Sequence, residues 1–159
     1  MTNRLSLQEV TRANWRAALQ LGVRPEQQRF VSEYAPIAAV ALAKAYVHAS
    51  GFQWLPYAVY RGQDMIGFVA LAYEESLAHQ NTYWMFHFFI DGRYQGQGYG
   101  RAALELLLQE IKQQHPACQV IKLTVHPENI AAQHLYTQTG FLPTGETLDD
   151  EPIYQLRLQ

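Results

Sequence analysis

The sequence predicts a mixed α/β fold, and three observations carry that prediction. Residues 88–104 read as an apolar strand ending near Ile90, a polar turn with alternate glycines Gly96, Gly98 and Gly100, and a helix with apolar Ala103, Leu107 and Ile111 at helical spacing. Ahead of this unit, residues 57–61, 65–73 and 83–90 follow one another as β-rich runs. Beyond it strand and helix patterns alternate, through 120–125 and a helix opening at Asn129, to a pair of closing strands. At 159 residues and 48% hydrophobic composition the chain can bury a substantial core, so one domain spanning 1–159 is expected.

Taken in order, residues 5–10 alternate as a short strand, and Thr11 is the expected N-cap of a helix through Trp15, Ala18 and Leu19 that Gly22 ends. Pro25 suits the first position of a second short helix, where its missing N–H costs no hydrogen bond. The Ala-rich stretch 36–50 is the strongest helix signal of the first half, with Ser50 and Gly51 expected to stop it. The period then changes to two. Residues 57–61 and 65–73, joined across Arg61-Gly62-Gln63-Asp64, form a hairpin, and a polar connection leads on to 83–90. Residues 141–146 and 153–158 read as a last hairpin across Asp149-Asp150.

Composition narrows the function. A net charge of -2, a pI near 6.3 and twelve scattered basic residues argue against nucleic acid as a partner, because phosphate backbones are bound by clustered Lys and Arg. No run of apolar residues is long enough for a membrane span, and the N-terminus lacks the apolar core of a signal peptide, so a cytoplasmic protein without a membrane partner is expected. The single cysteine, Cys118, precedes an apolar strand and reads as packing, and no Cys/His cluster has the spacing of a metal site.

The glycine turn points to a phosphate. Without Cβ atoms the loop turns tightly and brings N–H groups against an anion, and the unpaired amides and positive dipole end of the helix add attraction. The P-loop pattern fails, since Arg101-Ala102 stand where Lys-Ser/Thr is required. A dinucleotide fingerprint is formally met by Gly98, Gly100 and Ala103, yet residues 118–122 offer no acid at the ribose position.

The segment Gln95-Gly96-Gln97-Gly98-Tyr99-Gly100 resembles the Gln/Arg-x-x-Gly-x-Gly/Ala signature of the GCN5-related N-acetyltransferase (GNAT) family, whose loop holds the pyrophosphate of coenzyme A. The strand 120–125 and then Asn129, Ala132, Leu135, Tyr136, Gly140 and Phe141 match the second half of the family pattern. Val10-Thr11, Asn14-Trp15, Gln28, Phe30-Val31 and Phe89-Ile90-Asp91 are similar to bacterial polyamine acetyltransferases of the spermine/spermidine type. The resemblance implies a central, mostly antiparallel sheet with a splayed pair of parallel strands holding acetyl-CoA, and helices on both faces. It also implies an acetyl-CoA-dependent N-acetyltransferase acting on a primary amine of a small molecule, a polyamine being the expected acceptor. An acetyltransferase of proteins or peptides, and a non-catalytic acyl-CoA-binding module, are the alternatives. In many relatives the C-terminal strands pair between subunits, which is compatible with a homodimer here.

Site residues follow from the same resemblance. The backbone of Gln95, Gly96, Gln97, Gly98, Tyr99, Gly100 and Arg101 would hold the diphosphate, with Phe89, Ile90, Thr124, Val125, Asn129 and Ala132 along the pantetheine arm. Asn129 and Tyr136 are two helical turns apart and share a helix face; Asn129 reads equally as an N-cap, and Tyr136 is the implied proton donor to the leaving thiolate. The carboxylate implied nine residues ahead of the loop is replaced by Phe86. The remaining candidates for the base are Glu74 and Glu75, at the end of the adjacent strand, and His87, which has opposite parity to Phe86 and reads as pointing into the packed side; water is a further option. Glu33, Tyr34, Trp54 and Tyr73, with Phe86, could furnish the acceptor cleft, carboxylates and aromatic walls being what a flexible cation needs. Phe86, Trp84 and Phe88 would equally wall an apolar pocket for a less charged amine or a peptide N-terminus.

Overall fold

Helices cover both faces of a seven-stranded sheet in the computed structural model of the protein, which describes residues 4–75 and 81–159. The order is β1 (Leu5–Glu9), α1 (Trp15–Leu19), a 3₁₀ turn (Pro25–Gln27) running into α2 (Gln28–Val31), α3 (Ile37–Val47), β2 (Gln53–Arg61), β3 (Asp64–Tyr73), β4 (Thr82–Ile90), α4 (Tyr99–Gln114), β5 (Val120–Thr124), α5 (Ile130–Thr139), β6 (Leu142–Leu148) and β7 (Glu151–Arg157). The strands lie in the order β1-β2-β3-β4-β5-β7-β6. Only β4 and β5 pair in parallel; the other neighbours are antiparallel.

Local chemistry explains most boundaries and corrects three of them. Thr11 is not the cap of α1: its Oγ1 accepts from Ala13 N at 3.2 Å, closing a turn, and the helix opens after Asn14, whose Oδ1 accepts from Thr11 N at 2.8 Å. The helix α3 ends at Val47 because His48 takes a left-handed conformation (φ 53°), ahead of Ser50 and Gly51, which belong to the following 3₁₀ turn. Strand β2 begins at Gln53 rather than at 57; Pro56 lies just past the last strand pair with β1, Glu9↔Tyr57, where its carbonyl still accepts from Val10 N at 3.0 Å and its missing N–H falls at the end of the pairing. The last hairpin turns at Asp149 and Asp150, both at positive φ (50° and 65°), the pattern of a two-residue turn matching strand twist.

On one face, Leu104, Leu107 and Ile111 of α4 and Tyr136 of α5 pack against Val69, Leu71, Met85 and Ile121. On the other, Ala18 of α1 and Ile37, Ala38 and Ala41 of α3 cover Phe68, Ala70 and Phe89. Complete burial of side chains such as Leu104 and Leu107 stabilises by about 2 kcal/mol each, so the stripe on α4 fixes that helix, and the glycine turn before it, against the sheet.

Two features open the sheet. Parallel pairing of β4 with β5 covers only Thr82↔Val120 to Trp84↔Lys122, although β4 continues to Ile90 and β5 to Thr124. At the point of parting β4 carries a bulge: Ala70 of β3 faces Phe86 while Phe68 faces Phe89, and His87 sits at φ 55°. A bulge bends its strand and re-aims its side chains. The neighbouring strand makes room with Gly67, where a Cβ would lie 2.8 Å from Phe89 O. No helix among the described residues is long and apolar enough to cross a membrane.

Candidate functional site

Where β4 and β5 part, their facing backbone edges lack a partner strand, and two clefts meet. The smaller, about 240 Å³, is walled by Phe88, Phe89 and Ile90, by Gln95, Gly96, Gly98, Tyr99 and Gly100, and by Asn129, Ala132 and Tyr136. The larger, about 620 Å³, is walled by Phe86 and His87, by Glu33, Tyr34 and Lys44, and by Thr124, Val125, Asp149 and Glu151. Phe30, Val31, Phe88, Asn129, Ala132 and Tyr136 line both, so one side opens into the other. Overhead, α2 reaches the segment before α5 through the Arg29–Glu128 ion pair and the Phe30–His126 ring contact at 5.0 Å.

The glycine turn is built as an anion cradle. Gly96 (φ 79°) and Gly98 (φ 83°) occupy the left-handed region, where other residues are strained. Gly100 is helical and forms cleft wall, with Leu135 and Ile90 in ordinary contact with a notional Cβ. The first helical hydrogen bond of α4 runs from Ala102 N to Gly98 O (3.2 Å), which leaves the amides of Tyr99, Gly100 and Arg101 without an intrahelical acceptor. Behind the turn, Gln95 Nε2 donates to Ile90 O and to Gln27 Oε1, both at 2.9 Å, so this side chain holds the loop to the strand end. Asp91, only 3% exposed, accepts from Gly22 N and from Arg93 N and Nε. Burial opposes its charge, but Arg93 and the two amides outweigh that and keep its carboxyl below the ordinary aspartate range. The side chains of Gln97 and Arg101 lie outside the clefts; Arg101 Nε pairs instead with Glu105 at 3.2 Å.

At the junction, α5 presents Asn129 and Tyr136 to both clefts. Asn129 Oδ1 caps the helix, accepting from Ala132 N at 3.3 Å, while its amide nitrogen makes no bond to a described residue, so cap and cleft-lining roles coexist. Tyr136 is 7% exposed, packs edge-on to Phe141 and makes no hydrogen bond among the described residues. Burial pushes its phenol well above the usual range, so the proton stays on the oxygen at neutral pH.

The expected residues of the acceptor side divide. Glu33, Tyr34 and Phe86 line the larger cleft. Glu74 and Glu75 are exposed, just beyond the Tyr73↔Tyr83 pair, at the end of the sheet where β4 and β5 are still joined, and line neither cleft. Tyr73 stacks on Tyr83 at 4.7 Å on the α4 face, and Trp54 lies behind Phe86 (5.4 Å) with Nε1 bonded to Ala49 O; neither lines a cleft. The reason is directional: the strands part toward Ile90, away from the end that carries Tyr73.

His87 does not point into the α4 side as alternation predicts, because the bulge turns it toward α2 and α3. Its Nδ1 lies 2.9 Å from Val31 O and its Nε2 3.0 Å from Lys44 Nζ. With Nδ1–H donating to the carbonyl, Nε2 accepts from the ammonium. Burial, and then the charge of Lys44, lowers the histidine to about 4, so its one lone pair is neither free nor basic. Lys44 is itself lowered by burial against the attraction of Asp149 and Glu33. Sequence reasoning overlooked Lys44, Asp149 and Glu151. Lys44 had a signal as the one charged residue in α3, whereas Glu151 had none, since β7 reaches the cleft only by pairing with β5.

A cradle of free amides joined to a gap with unpaired backbone edges fits a diphosphate carrying an extended, amide-containing arm. Comparison with known proteins agrees. The sequence profile of the Acetyltransferase (GNAT) family matches residues 21–141. Spermine/spermidine N(1)-acetyltransferase of Bacillus subtilis (strain 168) is 30% identical over 146 residues, covering 89% of this chain and 90% of that protein. Spermidine N-acetyltransferase from Vibrio cholerae, solved in complex with CoA and spermine, shares the fold with a TM-score of 0.73 at 20% identity, over 99% of this chain and 96% of that one. An acetyl transferase from Salmonella typhimurium that modifies the N-terminal serine of 50S ribosomal subunit protein L7/L12 shares it with a TM-score of 0.74 at 17% identity, over 99% and 97%.

Proposed function

Because the chain belongs to the GNAT family, and is therefore an N-acetyltransferase that uses acetyl-CoA, we propose that its acceptor is a primary amine of a small molecule, with polyamines such as spermidine and spermine the first candidates. One observation carries this reading: a cleft floored by amides opens, at Phe88, Asn129 and Tyr136, into a second cleft that carries Glu33, Asp149 and Glu151. Acetyl-CoA supplies the acetyl group already activated as a thioester. The chain's own residues supply the rest.

The amides from Gln95 to Arg101 would hold the diphosphate, and Phe89, Ile90, Thr124, Val125, Asn129 and Ala132 the arm. Orientation of this kind removes much of the entropic barrier to a two-substrate reaction. The apolar walls, Phe30, Val31 and Phe88, exclude water from the junction. Tyr136 holds a proton at Oη, available to a departing sulfur; its raised pKa keeps that proton in place until negative charge develops nearby. On the acceptor side, carboxylates attract an ammonium and Tyr34 and Phe86 offer aromatic faces to it. Pairing of the open edge strand β6 between two copies would give a homodimer, which sedimentation tests.

Lys44 favours a second reading. It makes no ion pair within 4.0 Å among the described residues and lies in the acceptor cleft, so it repels each ammonium placed there and disfavours a polyamine, which brings several, more than a single amine such as a peptide N-terminus. Purified protein with acetyl-CoA, polyamines, monoamines and short peptides, followed by release of free thiol, separates these readings. Turnover on polyamines at least tenfold above monoamines and peptides supports the first, and the reverse order supports the second. Binding of the cofactor without turnover on any amine would reduce the protein to an acyl-CoA-binding module.

A further inference from the structure

The acceptor's ammonium must lose a proton before its nitrogen can attack, and the position where the family resemblance implied a carboxylate holds Phe86. His87 beside it is occupied on both ring nitrogens. Among the carboxylates lining the acceptor cleft, Glu33 and Asp149 are exposed and lie on connecting segments. Glu151 differs. It is half-buried and opens β7, directly after the two-residue turn that fixes Leu148↔Glu151. Its Oε1 accepts from Thr124 Oγ1 at 3.0 Å, at the last residue of β5, where that strand has parted from β4. Oε2 makes no bond to a described residue. One oxygen is thus anchored to the cofactor-side strand and the other is available to the acceptor cleft, which is how a proton acceptor is pre-oriented.

The geometry points to Glu151 as the residue that receives the acceptor's ammonium and takes its proton, with Thr124 as the positioning residue that aims it. The inference rests on the acetyltransferase reading above. In the step, one N–H bond of the ammonium breaks, its electron pair stays on nitrogen and the proton moves to Oε2. Water removes that proton after the product leaves. The other charged and titratable groups facing the same cleft are Arg29, Glu33, Tyr34, Lys44, His87, Tyr136 and Asp149. Lys44 helps in a definite way: its positive charge disfavours a second cation beside it and so eases release of the proton.

The test is a pH profile. With an ionised Glu151 the enzyme binds the ammonium form directly, so kcat/KM in the parent is level between about pH 6.5 and 8.5, below the ordinary ammonium pKa. Glu151→Gln must wait for the rare neutral amine, so its kcat/KM is about 100-fold lower at pH 7 and climbs about tenfold per pH unit. Glu151→Asp recovers part of the loss and the level profile, and Thr124→Val loses about tenfold without a change of slope. Calorimetric affinity for coenzyme A should be unchanged in both Glu151 variants, and the circular dichroism spectrum and urea midpoint of Thr124→Val should stay close to the parent's, which shows that all three fold. A Glu151→Gln enzyme within threefold of the parent, or with the parent's pH slope, overturns the assignment while leaving the acetyltransferase reading intact. A parent that turns over no amine overturns that reading, and the role of Glu151 with it.

Discussion

Replacing Tyr136 by Phe tests the proton-donor reading with little else disturbed. The ring is 7% exposed and meets Phe141 edge-on at 5.7 Å, contacts that phenylalanine keeps. The hydroxyl has no hydrogen-bond partner among the described residues and its ring lines both clefts, so its removal leaves no donor or acceptor orphaned; the variant should be within about 1 kcal/mol of the parent in stability. Turnover should respond very differently. A positioned acid contributes roughly 10² to 10⁴ in rate, so the lower bound is a 100-fold fall in kcat, about 2.7 kcal/mol in activation free energy. Because burial raises the phenol's pKa, the parent should show no loss of kcat from this group as pH rises toward 10, the value for a free tyrosine. The assay is thiol release from acetyl-CoA at saturating amine, with cofactor affinity measured separately by calorimetry. Equal turnover in Tyr136→Phe and parent would refute the role of the hydroxyl, and lost affinity for the cofactor would mean that Tyr136 binds rather than protonates.

Gly98→Ala adds a Cβ that meets nothing within 4 Å, but at φ 83° it carries a left-handed strain of about 1–2 kcal/mol. Calorimetry should find coenzyme A bound roughly tenfold more weakly with the fold retained. Gly67→Ala forces a Cβ to 2.8 Å from Phe89 O; a denaturant midpoint lowered by about 1–3 kcal/mol, together with weaker cofactor binding, would show that the bend of β4 depends on that gap. His87 falls from 6.5 to about 4 in the folded chain, so its contribution is present above pH 6.5 and is lost as pH drops toward 4. It amounts to about 3 kcal/mol at most. Urea titrations across that window should therefore show a steeper acid loss in the parent than in His87→Asn, and an imidazole titrating near 6.5 by NMR would contradict the burial described here.

The cofactor side was legible in the sequence because its requirements are local. Only glycine sits without strain at the φ of residues 96 and 98, the apolar stripe of α4 follows within one turn, and Asn129 and Tyr136 share a face by helical arithmetic. The acceptor side was not legible, because long-range pairing assembles it. Alternation along β4 held as far as Phe86 and failed at His87, since no glycine or proline announces the bulge. Glu74 and Glu75 follow β3 at the end of the sheet where β4 and β5 are still joined, away from both clefts. Glu151 comes from the last strand, carried to the cleft by a turn at Asp149-Asp150 whose presence, though not its destination, could be read.

Diffraction from crystals grown with coenzyme A and an amine tests the central claim most directly. The diphosphate should lie on the amides between Gln95 and Arg101, the sulfur at the junction beside Tyr136 Oη, and the amine nitrogen in the larger cleft within hydrogen-bonding distance of Glu151 Oε2. A coenzyme lying anywhere but between the parted strands, or an amine bound at Glu74 and Glu75 instead, would contradict it.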